Sequence, residues 1–257
     1  MFLALWGGVE ISAQKGVTYA VQLNGKWGFI DRTGKVIVEP RFEDAWNFSE
    51  GLAPVMLNEK WGFIDTTGKI VIKPQFEVAY SFREGRAGVV IGDKWGYIDA
   101  RGKVVIKPRF ETIKSFHEGL ALVRIDDKFV FIDKTGAVVI KSEFDSVYPF
   151  QEDLAAVKIG DKFGFIDKKR KSRHPPQFEY TSSFYDVGLA SVRLGGKWGL
   201  IDKTGKIIVN PQFKDVRSMW EGQIRVRLGN KWGLIDKTGQ YLAEPQFDLM
   251  LPHRNYD

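Results

Sequence analysis

The stretch Lys60-Trp61-Gly62-Phe63-Ile64-Asp65-Thr66-Thr67-Gly68-Lys69-Ile70-Val71-Ile72-Lys73-Pro74-Gln75-Phe76 decides the fold class. Its pattern has period two, interrupted by turn residues, and no helical period. Trp61 and Phe63 fall on one face of a strand, Gly62 and Ile64 on the other. Asp65 is placed to cap the following turn with its carboxylate, and Gly68 supplies the positive φ that closes it. Ile70-Val71-Ile72 is apolar on both faces, which predicts a strand buried on both sides. Pro74 has no N–H to donate and is expected to end the ladder. A further strand, Leu52-Ala53-Pro54-Val55-Met56-Leu57, precedes the stretch, and its Pro54 suits an edge or bulged position.

The same pattern recurs outward in both directions. Lys-Trp-Gly stands at Trp27, Trp61, Trp95, Trp198 and Trp232, with Phe at the Trp position in Phe129 and Phe163. The spacing is 34 residues, except for 35 between Phe163 and Trp198. An Ile-Asp pair follows each time, at Asp31, Asp65, Asp99, Asp133, Asp167, Asp202 and Asp236. Counted from the strand before the motif, seven complete copies start near Val17, Gly51, Gly85, Gly119, Asp153, Gly188 and Gly222. One copy has three or four short strands and cannot bury its own aromatic face, so neighbouring copies must complete the core. The organisation expected is an N-terminal apolar segment, residues 1–16, and a single domain of seven repeats, residues 17–257.

These residues resemble the WG-repeat family of bacterial repeat proteins, whose members carry Lys-Trp-Gly…Ile-Asp…Gly-Lys…Pro-x-Phe in tandem. The likeness runs over about residues 17–252. It implies a repeat architecture and brings no catalytic residues with it. A weaker likeness to choline-binding cell-wall repeats fails on spacing. The fold class expected is all-β, seven repeats in an open superhelical, solenoid-like array of antiparallel hairpins, because the connections are short, as in Phe82-Arg83-Glu84-Gly85. The alternative is a seven-bladed β-propeller, which the copy number keeps open.

Composition narrows the chemistry. The chain has no cysteine, so thiolate metal sites, disulfides and cysteine nucleophiles are excluded. Its three histidines, His117, His174 and His253, hold unrelated repeat positions. There is no phosphate-binding Gly-Lys-Ser/Thr loop and no Ser-centred elbow. The recurring Asp residues look like paired carboxylates only if the repetition is ignored, since turn capping accounts for all seven. The expectation is a protein that is not an enzyme and needs no cofactor or metal. Recurrence likewise makes the motif aromatics core residues before sugar-stacking ones.

No run of residues is long and apolar enough for a membrane-spanning helix. Met1-Phe2-Leu3-Ala4-Leu5-Trp6-Gly7-Gly8-Val9 is apolar and is followed by Ser12-Ala13-Gln14, the small-residue end of a secretory signal, although a basic start is missing and Glu10 interrupts the run. It reads as a signal remnant or as a cap on the first repeat, with export to periplasm or cell surface the expectation over cytoplasm.

Two departures from the repeat mark candidate binding residues. Where the sixth copy has Thr204-Gly205-Lys206-Ile207-Ile208-Val209, the fifth has Lys169-Arg170-Lys171-Ser172-Arg173-His174. With Lys168 these form a basic segment, expected to bulge out as a loop or fray at an edge because charge does not replace a β-branched core strand. The residue after the recurring Val is Gln22, Met56 and Val90 in the first three copies, then Arg124, Lys158, Arg193 and Arg227. Stacked repeats would align these four cations as a stripe. The function expected is a non-catalytic binding or scaffolding module for a protein or cell-envelope polymer. The alternative is a polyanion binder, of nucleic acid or an anionic polymer, acting through the basic segment and stripe.

Overall fold

The computed structural model describes residues 18–141, 144–169, 172–185, 187–220 and 222–250, so the N-terminal segment 1–16 lies outside it. The described residues form strands and no helix, in seven antiparallel sheets, none closed into a barrel. None of them forms a helix long and apolar enough to cross a membrane.

Sheet two shows the plan. Its strands Asp44–Ala45, Leu52–Leu57, Lys60–Asp65 and Ile70–Phe76 pair in chain order. Asn58 and Glu59, at φ 50° and 60°, make the two-residue hairpin before Lys60; two left-handed residues match the twist of the flanking strands. Pro54 pairs with Phe63 in a central strand, just past the end of the short Asp44–Ala45 neighbour. The last strand of a sheet passes almost directly into the next sheet: Phe42 precedes Asp44 by two residues, and Phe178 precedes Tyr180 by two. Sheets therefore divide after Pro-x-Phe, not at the glycine from which the sequence repeat is counted.

Sheet one has Thr18–Leu23, Lys26–Asp31 and Val36–Phe42. Sheet three has Ala87–Ile91, Lys94–Ile98 and Val104–Phe110, its short strand reduced to a bridge between Ala79 and Val89. The main strands of sheet four are Leu120–Ile125, Lys128–Asp133 and Val138–Lys141, and of sheet five Leu154–Ile159, Lys162–Asp167 and Ser172–Phe178. Sheet six has Leu189–Leu194, Lys197–Asp202 and Ile207–Phe213, and sheet seven Gln223–Leu228, Lys231–Asp236 and Tyr241–Phe247. Short first strands Thr112–Ile113, Ser146–Val147 and Tyr180–Thr181 lead sheets four, five and six.

The chain divides into two compact units, Met1–Gly92 with Gly96–Val104, and Asp93–Trp95 with Val105–Asp257. In each, every core layer is shared by consecutive sheets. In the first unit Ile64 packs with Phe29 and Val38, while Phe63 packs with Phe82, Val89 and Ile98. In the second, Ile166 packs with Phe131 and Ile140, while Phe165 packs with Phe184 and Ile201. A strand with period two thus buries both faces by having a sheet on either side. The motif aromatics Trp61, Phe163 and Trp232 are buried and Trp27, Trp95, Phe129 and Trp198 half-buried. Deeper still lies the phenylalanine two residues on, its ring tilted against that of the next Phe-x-Glu/Asp phenylalanine: Phe63 and Phe82 at 5.0 Å, Phe131 and Phe150 at 4.7 Å, Phe165 and Phe184 at 4.9 Å.

Proline does not end the ladder as expected. Trp61 pairs with Phe76 and Phe63 with Ile72, so two steps along one strand match four along the other. Pro74 sits in that bulge, where no donor is called for. The bulge folds onto Gly62: a Cβ there would lie 2.5 Å from the Ile72 carbonyl oxygen and 2.6 Å from the Pro74 nitrogen. The glycine and the proline are therefore one device. The fourth repeat lacks both, with Val130 for glycine and Ser142 for proline, and there Val130 pairs with Lys141 and Phe131 with Ile140 one step apart, the register shift falling only between Phe131 and Ile132.

Two further expectations are corrected. The β-branched strand is not buried on both sides: Val36, Ile70, Val104, Val138 and Ile207 are exposed, and only the third position, Val38, Ile72, Ile106, Ile140 and Val209, is buried. It is an outer strand, with no further strand beyond it in its sheet. For the same reason the fifth repeat does not loop out. Ser172–Phe178 is a strand with the register of sheet six: Phe165 pairs with His174 as Leu200 pairs with Val209, and Ile166 with Ser172 as Ile201 with Ile207. The polar Ser172 stands at a position whose equivalents are exposed. His174 takes a core position, and it packs on the turn glycine Gly205 as Ile106 packs on Gly136 and Val209 on Gly239. Its ring meets Phe165 edge-on at 5.7 Å, and its Nε2 lies 3.1 Å from the Lys203 carbonyl oxygen.

Candidate functional site

Three sets of recurring carboxylates cap turns. The Ile-Asp carboxylates accept from the backbone N–H two residues on, as Asp31 from Thr33 at 2.8 Å and Asp202 from Thr204 at 2.8 Å. Where a threonine follows, its hydroxyl donates as well, at 2.6 Å in both. That hydroxyl bond, helped by the backbone donors, holds Asp31, Asp65, Asp133, Asp202 and Asp236 below the usual carboxylate range. The acid after Pro-x-Phe caps the motif hairpin: Glu43 accepts from Asn58 and Glu59, Asp145 from Gly160, Glu179 from Gly196. The Phe-x-Glu acid reaches the next repeat, Glu50 accepting from Glu84 and Gly85 and Glu118 from Asp153.

That last set claims Lys168. Its ammonium donates to Asp153 at 2.8 Å and lies 3.0 Å from Glu118. Burial pulls this ammonium down, but the bonds to Asp153 and Glu118 outweigh it and raise it overall. Lys203 makes the matching pair with Glu152. Lys168 therefore joins repeats. Lys169 is exposed, and its backbone N–H donates to the capping carboxylate of Asp167. Arg170, Lys171 and the side chain of Arg173 lie outside what the structure describes, and His174 is buried at 5% exposure. The structure does not bring Lys168 or His174 to the stripe.

The stripe residues do hold equivalent places, all in the second unit. Each cation stands directly across from a motif aromatic: Arg124 from Phe129, Lys158 from Phe163, Arg193 from Trp198, Arg227 from Trp232. Directly opposite residues share a face, so each sheet carries a cation–aromatic row. Lys158 Nζ is 5.8 Å from the Phe163 ring centroid, and the Arg227 guanidinium 5.9 Å from that of Trp232. Arg124 is engaged by Glu111 at 3.4 Å and Asp127 at 2.6 Å, and Arg193 by Glu179 at 3.7 Å. Lys158 has no carboxylate partner among the described residues.

Two aromatics join this row that the repeat pattern does not flag. Tyr180 stands across from Arg193, 49% exposed. Its ring lies 5.3 Å from Phe163 of sheet five and 5.9 Å from Trp198 of sheet six. Tyr148 lies 6.4 Å from Phe163. Burial, then a hydrogen bond with the Tyr180 phenol, pushes the Tyr148 phenol up. In the first unit Trp46, 44% exposed, sits 6.3 Å from Trp61 and 6.1 Å from Tyr80. The equivalents of Tyr180 are Asp44, Val78, Thr112, Ser146 and Asp215, so no period announces it. The available signal is an aromatic at a variable strand position.

A comparison with curated proteins found no match. Among solved structures, one of a eukaryotic initiation factor is similar with a TM-score of 0.59 and 13% identity, covering 89% of this chain and 73% of that one. A Kluyveromyces lactis Hsv2 whose loop 6CD is replaced by a Gly-Ser linker gives 0.49 and 9% identity, covering 85% and 88%. The extracellular domain of a one-component system of B. thetaiotaomicron gives 0.39 and 12%, covering 79% and 36%. Likeness at these identities is one of fold alone. A family model described as WG containing repeat matches residues 27–61, 61–95, 95–129, 131–163, 163–198, 198–232 and 232–252. Seven consecutive matches over most of its length, one for each Lys-Trp/Phe motif and its sheet, place the chain in the family of proteins built from the WG containing repeat.

Proposed function

We propose that the chain is a non-catalytic binding module that presents its repeated surface to a protein or a polymer of the cell envelope. The observation that carries this reading is the cation–aromatic row repeated in sheets four to seven, with Tyr180 half-exposed within it. Repeats place like side chains at like positions, which suits a partner that is itself extended or repetitive. The recurring carboxylates are engaged in turns, which supports binding over acid–base chemistry. An envelope location accords with the signal-like pattern of residues 1–16.

Co-sedimentation with isolated cell envelopes, native and protease-treated, tests the proposal at physiological salt. Retention that survives protease treatment indicates a polymer, and retention lost with it a protein. No retention on either, with no crosslinked envelope protein, sinks the reading. A polyanion binder is the second reading, favoured by Lys158 and the net charge of +6. It requires retention on heparin and DNA resins that weakens from ~50 to ~200 mM salt. Charge reversal at Lys169, Arg170 and Lys171 must also abolish that retention if the basic segment takes part.

A further inference from the structure

We propose that Tyr148, Lys158, Phe163, Tyr180, Arg193 and Trp198 form a binding site for an acidic saccharide, a sugar ring carrying a carboxylate. This rests on the binding-module reading and names its ligand class. The Tyr180 ring is held between Phe163 and Trp198, with Tyr148 against the same Phe163 ring, yet remains 49% exposed. A fixed, half-open aromatic offers a face to the apolar C–H side of a pyranose at little entropic cost. Beside it, Lys158 Nζ rests over the Phe163 ring with no carboxylate partner among the described residues. Of the two stripe cations without one, Lys158 and Arg227, Lys158 is the one that lies over a ring of this cluster.

The charge pattern distinguishes this ligand from a nucleic acid. A phosphate backbone brings a charge at every residue and calls for a cation at each. Here Arg124 and Arg193, on either side of Lys158 in the repeat order, are engaged by Glu111 and by Glu179. Two of the four stripe cations are thus already engaged, and the open ring beside Lys158 is that of Tyr180. Arg193, held by Glu179 across from Tyr180, is placed to orient ring hydroxyls.

The test titrates the full chain with an oligogalacturonide, its methyl ester, a neutral gluco-oligosaccharide and a single-stranded DNA oligomer. Calorimetry and Trp fluorescence give the readouts. The acidic oligosaccharide should bind, and its methyl ester about tenfold more weakly. Lys158→Gln should weaken the acid about tenfold and leave the ester unchanged; Tyr180→Ala should weaken both about tenfold or more. Tyr180→Phe, which keeps the ring, should fold with an unchanged melting temperature and bind both within about threefold. Equal affinity for acid and ester, tighter binding of DNA, or no saccharide binding at millimolar concentration overturns the proposal. Envelope retention that survives in Tyr180→Ala and Lys158→Gln also overturns it, while leaving the binding-module reading in place.

Discussion

Strands Ser172–Phe178 and Ile207–Phe213 follow the same path and share only their last three residues, Pro-Gln-Phe. The first reads Ser-Arg-His-Pro where the second reads Ile-Ile-Val-Asn. Their partners pair with them in the same bulged register. The requirement for this strand is thus narrow: one buried side chain resting on the next turn glycine, and the proline and phenylalanine of the bulge. His174 meets the first with a flat ring and a polar contact to Lys203 where Val209 meets it with methyls. At positions whose equivalents in other sheets are exposed, as Val36, Ile70 and Ile207 are, charge is tolerated, since no desolvation is incurred.

The comparison can be broken or sharpened by substitution in sheet six. The largest effect is expected from Val209→Ser, which leaves a gap against Gly239 and buries a hydroxyl, at roughly 2–4 kcal/mol in urea unfolding. A cost no larger than at Ile207 would remove the distinction between the two positions. Next comes Gly199→Ala. Its Cβ would sit 2.5 Å from the Val209 carbonyl oxygen and 2.8 Å from the Pro211 nitrogen, costing about 1–3 kcal/mol as overpacking does. Adding Pro211→Ser, to imitate the Val130–Ser142 pair of the fourth repeat, should recover part of that loss. Purely additive costs would show that glycine and proline act separately.

Thr204→Val asks what the fifth repeat gives up by having Lys169 in its turn. The hydroxyl bond to Asp202 is lost, at below about 1 kcal/mol near neutral pH. Asp202 is lowered in the folded chain, so its contribution is complete above the unfolded carboxylate value of ~3.9 and fades as pH falls through the folded value. In the variant the carboxyl should titrate closer to its ordinary value by carbon NMR, and stability should fall less steeply in acid. An unmoved titration would mean that the backbone donors alone hold the carboxylate. The smallest effect belongs to Ile207→Ser, the exposed position that Ser172 fills in sheet five. It should change stability by no more than ~0.5 kcal/mol, and a larger loss would expose a packing role that its exposure does not show.

Much of this was legible in the residues. The period, the strand alternation, the antiparallel hairpins and the Asp-capped turn with its glycine are local, and local chemistry repeated seven times is hard to misread. The failures share a cause. Three β-branched residues in a row look buried from both sides, but burial depends on where the strand lies in its sheet. Val36 and Val38 are the same residue type in one strand, one exposed and one buried. The same blindness made a loop or frayed edge of residues 168–175, most of which belong to the strand Ser172–Phe178, and a binding residue of His174. Lys168 looked like part of a basic cluster until Glu118, fifty positions earlier, came to lie beside it.

The residues alone thus establish what each segment is: strand, hairpin, capped turn, and which faces could be apolar, because these follow from backbone preference and period two. Only the tertiary structure decides which neighbours those faces meet. It shows that proline and glycine form one bulge across two strands. It shows that recurring acids cap turns of the same and the next repeat. And it sets Tyr180, at a position with no period, between two motif aromatics. The physical reason is distance along the chain. Propensity acts over a few residues, whereas burial, charge pairing and ring contacts are settled by residues one repeat or more away.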